Sequence, residues 1–208
     1  MIGLISDSDL TEDIRYNDHR DTIDLPEEFV PYASTAGWVE FSSCNREALK
    51  KSFLSIKNTC KIILEIGVHR NQDDSSTSVF LQNKNDDAYY FGVDILDKSY
   101  LNDPGKRIYT IQSASQNYLN VMFTIQNITG IQLNEVVIDY LFIDGWHSIN
   151  QVLLDWEYTR AVRDGIVGFH DVNYHPGPKK FIEKLNADRF TIDKQCPLDF
   201  GIAFIRRK

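Results

Sequence analysis

The chain has 208 residues, 22 of them basic and 30 acidic, for a formal charge of −8. That length suits one compact domain, and a 42% apolar share with 12% aromatic residues supports a core, which excludes global disorder. The acidic balance excludes a general nucleic-acid binder, and no apolar run nears the roughly 18 residues that span a bilayer. The start turns acidic at Asp7 and Asp9, unlike a secretory leader, so a cytoplasmic protein without membrane attachment is expected.

The charge is uneven. Residues 1–42 hold ten acids against Arg15 and Arg20, whereas 43–208 carry 20 of each sign. This pattern predicts an acidic arm over 1–42 and a formally neutral domain over 43–208. Phe29, Tyr32, Trp38 and Phe41 follow the acidic stretch and suggest that the arm docks or closes over something. Cys44, Cys60 and Cys196 are odd in number and far apart, which predicts buried apolar thiols in a reducing compartment rather than a disulfide or a zinc site.

From residue 45 helical and strand patterns alternate. Asn45 can cap a helix carrying Leu49, Phe53 and Ile56, and Lys61–Ile66 reads as a buried strand ending at Gly67. Ser75–Ser78 starts a helix with Val79, Phe80 and Leu81, and strands follow at Tyr89–Asp94 and Arg107–Ile111. A helix over 116–129 places Leu119, Met122, Phe123 and Gln126 on one stripe and stops at Gly130. Val137–Ile143 is the most apolar strand. Next come a helix over 149–163 presenting Ile149, Val152, Leu153 and Trp156, and a strand at Ile166–Phe169. Pro178 suits the first turn of a helix with Phe181, Ile182 and Leu185, and strands near 190–193 and 201–205 close the chain without a helix between them. The alternation predicts a doubly wound, mostly parallel α/β sheet with an antiparallel pair at its edge.

Ligands of such sheets bind beyond the carboxyl ends of the strands. Those ends deliver Glu65, Gly67 and His69, then Asp94, Ser113 and Ala114, then Asp144 and His147, and finally His170 and Asp171. Asp94 can accept hydrogen bonds from both hydroxyls of a ribose. The loop after Gly67 is not glycine-rich, and its Asp73 and Asp74 would repel a pyrophosphate, so a nucleoside cofactor without phosphates fits better than NAD or ATP. Asp144 and Asp171 with an imidazole or water suit Mg²⁺ or a similar divalent ion, and His147 suits a general base. Trp146 and Trp156 read as packing residues, and His175-Pro-Gly-Pro178 as a turn at the pocket rim.

Leu-Glu-Ile-Gly (64–67), Gly-Val-Asp (92–94), Asp-Tyr-Leu-Phe-Ile-Asp-Gly-Trp-His (139–147), Asp155, Arg-Asp-Gly-Ile (163–166) and Phe-His-Asp-Val (169–172) together resemble the class I S-adenosylmethionine (SAM)-dependent methyltransferases. The branch they look most like is methyltransferase family 24, which includes metal-dependent O-methyltransferases of sugars and related small molecules. The resemblance covers about residues 45–208 and implies a Rossmann-like sheet of seven strands with the last one antiparallel. It also implies Glu65, Gly67 and His69 by the methionine part of SAM, Asp94 on the ribose, Ile95 against adenine, and Ser113 and Ala114 at the adenine edge. Asp144 and Asp171, with His170 as a further candidate, would hold the metal, and His147 would take the substrate proton.

The chain departs from the family in two places: Asn71–Asp74 replace glycines, and Ala114 stands where an acid often receives the adenine amino group. Two rival expectations stand beside the methyltransferase. One is a non-catalytic nucleoside-binding or interaction module on the same fold; the other is a metal-dependent hydrolase using Asp144, His147, His170 and Asp171. The expected partner is a small-molecule substrate, with no nucleic acid or membrane, and a homo-oligomer stays open.

Overall fold

Seven strands pair in the order β3-β2-β1-β4-β5-β7-β6, with β1 at Ile62–Ile66, β2 at Tyr89–Asp94, β3 at Ile108–Gln112, β4 at Tyr140–Ile143, β5 at Ile166–His170, β6 at Phe190–Gln195 and β7 at Ile202–Arg207. The first five are parallel, while β7 runs antiparallel to both β5 and β6. This is the doubly wound, seven-stranded architecture expected above. The computed structural model of the chain describes residues 9–12, 14, 41–68 and 75–208. His69, residues 71–74 and the aromatics Phe29, Tyr32 and Trp38 lie outside the described residues.

The helices are α1 at Ser43–Leu54, α2 at Ser76–Asn83, α3 at Tyr118–Thr129, α4 at Ile149–Asp155 and α5 at Pro176–Lys184. Side chains alternate between the two sheet faces, as strand geometry requires. Ile62, Leu64 and Ile66 of β1 join Leu141 and Ile143 of β4 in one core with Ile125, Trp156 and Phe181. Ile63, Tyr140 and Phe142 join Leu49, Phe53 and Phe80 in the other. The parity carries functional weight, because it sends Glu65 and His170 toward the face covered by α1 and α2.

Local signals account for several boundaries. Ser75 caps α2, its hydroxyl accepting the Ser78 N–H at 3.2 Å, and Gly130 ends α3 at φ +73°. Elsewhere the structure corrects the sequence expectation. Ser42, not Asn45, caps α1, and this leaves the buried Asn45 side chain available for the site. On α3 the buried residues are Val121, Met122 and Ile125, whereas Leu119 and Phe123 face outward. Both stripes have helical spacing, and only the seating of the helix on the sheet chooses between them. Trp146 is 60% exposed in the loop after β4, so packing describes Trp156 alone.

The largest correction concerns the cysteines. Cys44 and Cys196 form a disulfide across 152 residues of chain, with Cα atoms 5.9 Å apart. Folding lays the start of α1 against the turn after β6, and that distance lies within disulfide range whatever the sequence spacing. Only Cys60 remains a buried thiol, its pKa pushed up to about 12 by burial. This oxidised pair removes the ground for expecting a reducing compartment. No helix among the described residues is long and apolar enough to cross a membrane.

Part of the acidic arm is anchored. Asp9 is buried, accepts the Trp156 indole N–H at 3.2 Å and meets Arg189 at 2.7 Å. Leu10 pairs with Leu185, and Glu12 meets Lys184 at 3.1 Å and Lys180 at 3.6 Å. Ile14 enters the core.

Candidate active site

Strand order reverses between β1 and β4, and this is where a doubly wound sheet opens a crevice. Gly67 follows β1 there at φ +85°, and a β-carbon on it would lie 2.0 Å from the Asp144 carbonyl oxygen. Only glycine permits that approach.

Asp94 closes β2 beside Gly67. Its Oδ2 accepts the Val68 N–H at 3.0 Å, its Oδ1 accepts the Leu96 N–H at 2.7 Å, and the buried Lys98 amine stands 4.0 Å away. The carboxylate is thereby aimed across the strand end with acceptor capacity to spare. The following Ile95 is 71% exposed and offers an uncovered apolar surface next to it. Ser113 and Ala114 follow β3, with the Ser113 N–H donating to the Asp94 carbonyl at 2.9 Å.

Glu65 occupies a different environment from these rim residues. It is fully buried, and its carboxylate accepts hydrogen bonds from Tyr90 Oη, Ser76 Oγ and, at 2.8 Å, Thr77 Oγ1. Desolvation lifts its pKa from 4.5 to about 7, with the three hydroxyls pulling the other way. Glu65 therefore ties β1 and β2 to the first turn of α2.

The second half of the site lies beyond β4 and β5. His170 Nδ1 stands 3.1 Å from Asp144 Oδ1 and 3.2 Å from Asp171 Oδ1. His147 Nε2 stands 3.0 Å from Asp171 Oδ2 and 3.8 Å from Asp144 Oδ1. His175 Nε2 lies 3.8 Å from Asp171 Oδ2, with its ring 3.9 Å from that of His147. Asp171 holds this central position at φ +60°, a left-handed conformation that aspartate tolerates better than most residues. The first turn of α5 is pinned to the same place, because the Gly177 N–H donates to the His147 carbonyl at 2.9 Å.

Electrostatics separates acids from bases. Burial alone would raise the Asp144 and Asp171 pKa values, but the imidazoles of His170 and His147 outweigh it and hold both carboxyls below the usual range. Burial likewise opposes charge on His147, yet its hydrogen bonds to Asp144 and Asp171 lift its pKa to about 10. Asp155 lies fully buried beneath this loop, its Oδ1 accepting from Gln151 at 2.8 Å, and burial lifts it to about 6.

Among the described residues, two donor sets have atoms all within 4.8 Å of one another, Asp144–His170–Asp171 and His147–Asp171–His175. The first is the set expected from sequence. His175, read there only as a rim turn, belongs to the second, and Pro176 beside it signals a helix start rather than a ligand.

Among solved structures the chain is similar to the MycE methyltransferase from the mycinamycin biosynthetic pathway in complex with Mg and SAH (S-adenosylhomocysteine), crystal form 1. The TM-score is 0.55 at 17% identity, over 77% of this chain and 48% of that one. The chain has the Rossmann-like methyltransferase fold. The same protein with Mg, SAH and mycinamycin VI matches at TM-score 0.54 and 21% identity, again over 77% and 48%. Crystal form 2 matches at 0.53 and 20%, with the same coverage. The chain thus spans about half the length of these structural neighbours. No protein-family model matches it, and no curated protein is similar to it in sequence.

Proposed function

We propose that the chain is a SAM-dependent methyltransferase acting on a hydroxyl of a small molecule such as a sugar. The observation that carries this reading is one of placement. On a methyltransferase fold, the Asp94 carboxylate and the Asp144–His147–Asp171 cluster open at one sheet edge, on either side of Gly67. The neighbours' bound SAH and Mg support it.

Asp94 would take the ribose hydroxyls, Gly67 would let the backbone approach the cofactor, and Ile95 with the Ser113–Ala114 turn would border the adenine. Asp144 and Asp171 fit a divalent ion, because their oxygens converge from two strands and are held ionised. When bound, SAM would supply the methyl group and the ion would acidify the acceptor hydroxyl. His147 would take that hydroxyl proton at Nε2, handing its present contact with Asp171 to the incoming ligand. The two strand ends would orient acceptor and donor for in-line transfer. The acidic arm, whose Asp9 and Ile14 pack on the Trp156 side of the core, would contribute to substrate choice.

Calorimetric titration with SAM and with SAH, with and without Mg²⁺, tests the reading. Binding that Asp94→Ala weakens by roughly tenfold or more, a loss of about 1.4 kcal/mol or more, supports it. Absence of binding in every condition refutes it, and turnover of a phosphate or ester substrate without SAM would favour the hydrolase instead.

A further inference from the structure

Asp171 divides its two carboxylate oxygens between different partners. Oδ1 faces His170 Nδ1 at 3.2 Å, whereas Oδ2 faces His147 Nε2 at 3.0 Å and His175 Nε2 at 3.8 Å. On the Oδ2 side two imidazoles turn toward one oxygen, with ring centroids 3.9 Å apart. The 3.8 Å contact of His175 with that oxygen is beyond hydrogen-bond range. Two rings sharing an oxygen at these distances make a poor pair of hydrogen bonds and a good set of metal donors.

Local structure builds the set. His175 stands four residues after Asp171, and its N–H donates to the Asp171 carbonyl at 3.3 Å, which brings both side chains to one side of the turn before α5. Gly177, two residues on, donates its N–H to the His147 carbonyl at 2.9 Å. A β-carbon on Gly177 would lie 2.3 Å from that same carbonyl oxygen, so α5 can press His175 toward His147 only because residue 177 has no side chain. Asp171 and His175 are buried and His147 is half-buried, and the Phe200 ring lies 5.9 Å from that of His175. The donors are therefore assembled by backbone contacts rather than by flexible surface side chains.

The donor types select the ion. Two imidazole nitrogens with one carboxylate oxygen suit Zn²⁺, whereas Mg²⁺ prefers oxygen throughout. Donors about 2.0–2.1 Å from a tetrahedral Zn²⁺ lie roughly 3.4 Å from one another. The observed 3.0 and 3.8 Å bracket that spacing, and all three donor atoms fall within 4.8 Å. The negative charge of Asp171 and Asp144 beside His147 draws a cation as it draws a proton, and Zn²⁺ releases the Nε2 proton as it binds.

We infer that His147 Nε2, Asp171 Oδ2 and His175 Nε2 form a second metal site, which takes Zn²⁺ in preference to the Mg²⁺ proposed for Asp144 and Asp171. The site does not depend on the methyltransferase reading, but its consequence rests on it. Zn²⁺ on His147 Nε2 occupies the nitrogen that would accept the substrate proton, so Zn²⁺ loading and methyl transfer exclude one another.

Calorimetric titration of the whole chain with zinc chloride and with magnesium chloride tests the site. Wild type is expected to bind Zn²⁺, and His175→Ala should weaken that binding roughly a hundredfold or more while changing Mg²⁺ affinity less than about threefold. His175→Gln keeps a polar side chain in the buried position but has no imidazole, and the same loss is expected if the alanine variant fails to fold. Co²⁺ standing in for Zn²⁺ should give the intense visible absorption of a four-coordinate ion in wild type and lose it in His175→Gln. Absence of Zn²⁺ binding by wild type, Zn²⁺ affinity unchanged in the folded variants, or equal loss of Zn²⁺ and Mg²⁺ overturns the inference. Wild type that binds Zn²⁺ but neither Mg²⁺ nor SAM refutes the proposed function, and the Zn²⁺ comparison between wild type and variants still decides the site.

Discussion

Gly67 and Asp144 meet backbone to backbone where strand order reverses, so closely that a β-carbon on Gly67 would lie 2.0 Å from the Asp144 carbonyl oxygen. The Asp144 N–H also donates to the Ile66 carbonyl at 2.8 Å, which places the two halves of the site in fixed register. Gly67→Ala is expected to cost at least about 2 kcal/mol, from overlap and from a left-handed backbone that alanine disfavours. Denaturant unfolding measures the loss, and SAM binding should disappear under conditions where the variant remains folded.

Glu65 makes stability depend on pH in a direction opposite to most carboxylates. Its folded pKa of about 7 lies above its ordinary 4.5, so the folded chain keeps a proton that the unfolded chain releases. The resulting contribution is fully present below about pH 4.5, falls as pH rises toward 7, and is flat above that, a change of roughly 2–4 kcal/mol. Glu65→Gln stays neutral throughout. Its unfolding free energy between pH 5 and 7.5 should therefore fall less than that of the wild type, by roughly 2 kcal/mol or more.

The Cys44–Cys196 bridge closes a loop of 152 residues in sequence separation. Replacing both cysteines with serine should lower stability by about 3–5 kcal/mol, because the unfolded chain regains loop entropy. Urea unfolding with and without reductant checks this: reductant should lower the wild-type midpoint and leave the double variant unmoved.

His147 is predicted to couple metal binding to protons. Hydrogen bonds to Asp144 and Asp171 hold its pKa at about 10, so at pH 7.5 it is charged in the metal-free protein. A cation at the two carboxylates removes that attraction, so divalent binding should release protons and tighten as pH rises. Calorimetry in buffers of different ionisation enthalpy reads the release directly. In turnover assays, His147→Gln should lose about 10²–10⁴-fold in methyl transfer while keeping SAM affinity within about threefold.

Much of the fold was legible because it is written in local patterns. Strand β2 matches the run Tyr89–Asp94, Ser75 and Gly130 mark helix ends by their own capping chemistry, and the helix-free final strands form the antiparallel edge. The candidate site was legible in part for a related reason. Strand ends in a doubly wound sheet gather at one edge, so the strand pattern alone groups Asp94, Asp144, His147, His170 and Asp171.

The remainder had no local signal. Leu119 and Phe123 share a helical stripe that the sheet leaves exposed, and the Asn45 position reads equally well as a cap. His175 entered the cluster only because α5 is pinned to His147, and Cys44 met Cys196 only because α1 crosses the turn after β6. Even the charge of −8 divides this way. Its concentration in residues 1–42 is a property of sequence, but the pairing of Asp9 with Arg189 and Glu12 with Lys184 is a property of the fold. Sequence alone determined which residue types fall at which strand ends, because that follows from periodicities of two and 3.6 residues. Tertiary structure decided which of them touch, because that depends on distances between segments that no periodicity encodes.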